Sequence, residues 1–122
     1  MTTGSSDDKR FRTDISRAGD RVTVKLYGEL DLATAPQLQE SLVAIGHDDA
    51  IEVVLDFEEL KFIDSVGLSV VIVEHKRLKA SGGTLVIQYP STRTRKLFDV
   101  SGLSSHLTIR PIIVPDEVEA ER

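Results

Sequence analysis

Residues 60–76 read LKFIDSVGLSVVIVEHK, and the fold turns on whether the apolar run Val70–Val73 within it is a strand or part of a helix. The β-branched composition suits a buried strand. A strand there needs breakers on both sides, and the following EHKRLKA supplies none. The apolar spacing instead continues to Leu78 and stops at Gly82-Gly83. Asp64-Ser65 in front is helix-start chemistry. Lys76, Arg77 and Lys79 behind it complement the negative end of a helix dipole. The spacing predicts a helix over 66–80. Val66, Val70, Val73 and Arg77 fall on one face with Val71, His75 and Leu78 beside it, so that a wide apolar face meets a sheet.

On either side of that helix, IEVVLDF (51–57) and TLVIQY (84–89) are short β-branched runs of the kind that form buried strands. Near the start, FRTDISRAGDRVTVKLYG alternates apolar and polar positions. Phe11, Thr13 and Ile15, then Val22, Val24 and Leu26, mark two antiparallel strands around an Ala18-Gly19-Asp20 turn. In GELDLATAPQLQESLVAIGHDD, caps within Asp31–Thr34, Pro36 in a first turn and Leu38, Leu42 and Ile45 at helical spacing predict a helix stopped by Gly46. STRTRKLFDVSGL predicts another, capped by Ser91 or Thr92, with Leu97, Phe98 and Val100 inward and Gly102 at its end. LTIRPIIV supplies a last edge strand, interrupted or ended by Pro111.

Strands alternating with helices after an initial hairpin give an α/β fold of one domain, with a mixed, mainly parallel sheet and helices packed on it. The expected organisation is a disordered lead-in at 1–10, a domain at 11–114 and a charged tail at 115–122. The 122 residues suffice for one core. With 5% aromatic content and no Trp, that core is aliphatic. A net charge of −5 argues against non-specific nucleic-acid binding. The absence of cysteine removes disulfides, thiolate metal sites and a Cys nucleophile, and suits a reducing cytoplasm. The polar MTTGSSDDKR is no signal peptide, and no segment reaches the length of a bilayer span. The expectation is a cytoplasmic protein without a membrane partner.

Ser65 is the first candidate for function. Its plain role is a helix cap. Its functional role starts from the same place: a hydroxyl at a helix N-terminus, after a strand, near backbone N–H groups that favour an anion. Phosphorylation there adds about −1.5 to −2 charge. The helix end returns about 0.3–1 kcal/mol, so the fold is little disturbed. A docked partner that loses about 3 kcal/mol binds on the order of 100-fold more weakly. Binding, not folding, is what such a switch controls.

FIDSVGL with the preceding VVLDFEELK, the earlier GELDLATAP and the later RKLFDVSGL resemble, in order, the STAS-domain anti-sigma factor antagonists of bacteria. The likeness runs from about residue 11 to 109. It implies that Ser65, directly after Asp64 in a D-S-x-G-L stretch completed by Gly67 and Leu68, is phosphorylated by a partner anti-sigma factor serine kinase. It also implies that Asp31 of GELD lies near the phosphosite, and that Asp31, Asp64, Ser65, Val66, Gly67 and Leu68 form the partner-binding surface. Partner switching follows: the unphosphorylated protein binds the anti-sigma factor and frees the sigma factor, phosphorylation releases it, and a metal-dependent serine phosphatase resets it. The chain departs from the family where Val66 replaces a second hydroxyl residue, where Ser69 replaces a frequent glycine, and in its short closing segment PDEVEAER.

Other features carry less. Asp31 and Asp64 each double as turn or cap residues, and they make no metal site. His47, His75 and His106 are scattered without ligand spacing. G-x-S-x-G is absent and no histidine is placed as a base for Ser65, so the protein is read as a non-enzyme that needs no cofactor. STRTRK forms either an anion or nucleic-acid patch or, more simply, a solvated face. The alternative function is a STAS scaffold or small-ligand sensor in a stress-signalling assembly.

Overall fold

A computed structural model describes residues 11–45 and 51–110. The expected lead-in, the Gly46 helix stop, His47, Pro111 and the charged tail lie outside them. In chain order the elements are β1 (Phe11–Ala18), β2 (Arg21–Leu30), α1 (Ala35–Ile45), β3 (Glu52–Ile63), α2 (Ser65–Ala80), β4 (Thr84–Gln88), α3 (Thr92–Val100) and β5 (Thr108–Arg110). The five strands lie in the order β1-β2-β3-β4-β5. β1 and β2 form the antiparallel hairpin, and every later neighbour is parallel. Among the described residues no helix is long and apolar enough to cross a membrane.

This strand order follows from the connections. Each parallel step crosses over through one helix and lands on the next position in the same direction, so right-handed crossovers bring all three helices to one face. The core is on that face. Val22, Val24 and Leu26 of β2, Val53, Leu55 and Phe57 of β3, and Leu85 and Ile87 of β4 meet Leu38 and Leu42 of α1, Leu68, Val71 and Leu78 of α2, and Phe98 of α3. It is aliphatic apart from a few phenylalanines, as composition requires. Phe57 and Phe98 meet as a tilted pair with ring centroids 6.4 Å apart.

Four expectations need correction. Ile15 is 49% exposed, because β1 is an edge strand and turns most of its length to solvent. Val100 is 77% exposed, on the outer side of α3. The third correction concerns β3, which runs on to Ile63 instead of ending at Phe57. Its pairing with β2 shifts twice, between Lys25 and Tyr27 and between Gly28 and Glu29, each time with an extra residue on β3. These bulges break the two-residue alternation, so Glu58-Glu59 resembles a strand end although the ladder continues. Gly28 accommodates the second shift with φ of 89°, a conformation open to glycine.

The fourth correction is the phase of α2. The helix exists as expected, but its buried residues are Gly67, Leu68, Val71, Glu74 and Leu78. Val66 and Val73, predicted to face the sheet, are 36% and 57% exposed. Valines and isoleucines occur all round this helix, so spacing alone left the face ambiguous. Gly67 settles it: a Cβ there would stand 2.7 Å from Leu30 Cγ and 2.8 Å from the Leu30 carbonyl oxygen. Only glycine lets the first turn of α2 press this closely on the end of β2.

A candidate phosphoserine site at the start of the central helix

Asp64 is the N-cap of α2. Its Oδ1 accepts from the amides of Val66 and Gly67, each at 2.9 Å, while its own amide donates to the Leu30 carbonyl at 3.1 Å. The aspartate therefore caps the helix and fixes it to β2. This reassigns the plain role first offered to Ser65. With the cap already supplied, Ser65 is the first residue of the helix, it is exposed, and its hydroxyl makes no hydrogen bond with the described residues.

The same geometry corrects the idea of a ready anion cradle. Two of the first-turn amides that a phosphate would use already serve the Asp64 carboxylate. A dianion on Ser65 meets that negative group beside it, and the helix dipole only partly offsets the repulsion.

Asp31 begins the turn after β2, one residue past the Leu30 carbonyl that holds Asp64. Its Oδ1 accepts from the amides of Ala33 at 3.0 Å and Thr34 at 3.1 Å. Buried Thr34 closes the turn: its Oγ1 accepts from the Asp31 amide at 2.9 Å and donates to the Glu29 carbonyl at 2.8 Å. The structure thus brings the Asp31 turn and the Asp64-Ser65 helix start to the same end of the sheet. The sequence reading placed caps within Asp31–Thr34 without choosing among them, and the hydrogen bonds pair Asp31 with Thr34.

The other expected partner-binding residues divide by exposure. Val66 reaches solvent, whereas Gly67 and Leu68 are buried and act by setting where Ser65 and Val66 stand. From Val66 an apolar strip continues along α2 through Val70 and Val73. With Leu42 and Val43 of α1 it lines a groove of about 230 Å³. Exposed Val43 and Val73 belong to this surface; the sequence reading turned Val73 towards the sheet and did not single out Val43. Also lining the groove, Arg77 forks onto the buried Glu74 carboxylate, with Nε to Oε1 at 2.9 Å. Among the described residues no cluster of His, Asp and Glu is arranged to hold a metal ion.

An "Anti-sigma-B factor antagonist" of Bacillus subtilis (strain 168) is 31% identical over 99 residues, covering 81% of this chain and 90% of the relative. The unphosphorylated form of the anti-sigma factor antagonist SpoIIAA aligns with a TM-score of 0.69 at 27% identity, covering 89% of this chain and 97% of that one. The phosphorylated form of the Bacillus cell fate determinant SpoIIAA aligns with a TM-score of 0.65 at 24% identity, covering 91% of this chain and 100% of that one. The STAS domain family matches residues 12–114. The chain belongs to the STAS domain family.

Proposed function

We propose that this protein is an anti-sigma factor antagonist regulated by reversible phosphorylation of Ser65. The observation that carries the reading is the division of labour at the start of α2: Asp64 caps the helix, so the adjacent serine hydroxyl is exposed and makes no hydrogen bond with the described residues. The names of the relatives support the antagonist role, and SpoIIAA is known in both an unphosphorylated and a phosphorylated form.

In the unphosphorylated state the Asp31 turn, Asp64, Ser65 and Val66 present a small polar and apolar surface to an anti-sigma factor serine kinase, which lets go of its sigma factor. The kinase transfers phosphate from ATP: a bond forms between Ser65 Oγ and the γ-phosphorus, the bond to ADP breaks, and the serine proton passes to a base of the kinase. The new dianion is repelled by Asp64 and cannot sink into the helix end, so it occupies the docking surface and the complex separates. A serine phosphatase restores the hydroxyl by hydrolysis, releasing inorganic phosphate.

Incubation with a candidate anti-sigma kinase and ATP, followed by mass spectrometry, tests the assignment. Phosphate on Ser65, lost in Ser65→Ala, is the expected result. Phosphate at another residue contradicts it.

A further inference from the structure

A second surface lies on the other side of the β3 end. Arg93, Lys96, Leu97 and Val100 follow helical spacing and form one face of α3. With Lys61 and Phe62 at the end of β3 they wall an open groove of about 350 Å³. The protein has a net charge of −5, yet this groove is lined by Lys61, Arg93 and Lys96 and by no carboxylate. None of the three cations forms an ion pair with a described residue. Its apolar part extends outward, with Phe62 40% and Val100 77% exposed.

We infer that this groove docks an acidic segment of a partner protein that carries an apolar anchor. Charge complementarity selects the sign, since cations stand on both walls and a segment between them is flanked by positive charge. The open shape selects the class. A small ligand needs a cavity that encloses most of its surface, whereas here the apolar side chains stand at the rim, where a peptide side chain lies across them. The RTRK stretch of α3 is thus more than a solvated face. The inference does not depend on Ser65 being phosphorylated.

The test is fluorescence anisotropy of the full chain with a short labelled peptide of Asp and Glu around a Phe-Leu pair. Saturable binding is expected, weakened about tenfold or more in Lys61→Glu/Lys96→Glu and in Arg93→Glu/Lys96→Glu. The same reversal on the edge strand, Arg17→Glu, leaves binding unchanged. All these residues are exposed, and circular dichroism verifies that the variants fold. Val100→Asn, which leaves the charge unchanged, also weakens binding, and this separates an apolar anchor from charge attraction alone. Equal binding by wild type and the two double variants overturns the inference. So does binding of phosphatidylglycerol vesicles or a single-stranded oligonucleotide through these cations without binding of the peptide.

Discussion

The amide of Asp64 donates to the carbonyl of Leu30 at 3.1 Å, which joins the end of β2 to the start of α2 at the point where Ser65 emerges. Beside that bond, Gly67 passes so close to Leu30 that a methyl group has no room. Gly67→Ala is therefore expected to destabilise the fold by about 1–3 kcal/mol through overpacking. The midpoint of urea unfolding checks it. Because the clash includes a backbone oxygen, side-chain repacking alone cannot remove it.

Asp64→Ala removes the acceptor for two first-turn amides. It should cost about 1 kcal/mol, whereas Asp64→Asn, which keeps an acceptor oxygen, should cost much less. Urea unfolding of the two variants separates capping from charge.

The contrast along α3 is equally specific. Phe98 is fully buried against Phe57, while Val100 is largely exposed. Phe98→Ala is expected to lose about 3–5 kcal/mol by opening a cavity. Val100→Ala should stay within about 0.5 kcal/mol of wild type, as surface changes do. Thermal unfolding of both distinguishes this assignment from the inward Val100 that sequence spacing suggests.

These positions show what was legible in the sequence. The order of elements, the helical nature of 66–80 and the place of Ser65 at its start follow from caps, breakers and spacing. The face of α2 did not, because β-branched residues surround it and its rotation is fixed by a tertiary contact between Gly67 and Leu30. The length of β3 did not, because two bulges disguise the alternation that marks a strand. At the site, both Asp64 and Ser65 suited the cap by residue type, and only the hydrogen bonds decided between them.

Burial, followed by the charges of Lys79, His106 and Lys76, holds the His75 pKa below its ordinary value of 6.5. Its Nδ1 is buried without a hydrogen-bond partner among the described residues. The unfolded chain therefore binds a proton that the folded chain resists. The stability contribution of neutral His75 is complete above about pH 6.5 and is lost as pH falls below it towards the lowered folded pKa. Between about pH 8 and about pH 5 the unfolding midpoint of wild type should fall relative to that of His75→Gln, which carries no titrating imidazole.

The most direct measurement is calorimetric titration of the anti-sigma factor with unphosphorylated protein and with protein phosphorylated at Ser65, alongside the unfolding midpoint of each. Phosphorylation is predicted to weaken binding on the order of 100-fold while stability changes by less than about 1 kcal/mol. Equal affinity of the two forms, or loss of affinity that merely tracks unfolding of the domain, contradicts the account.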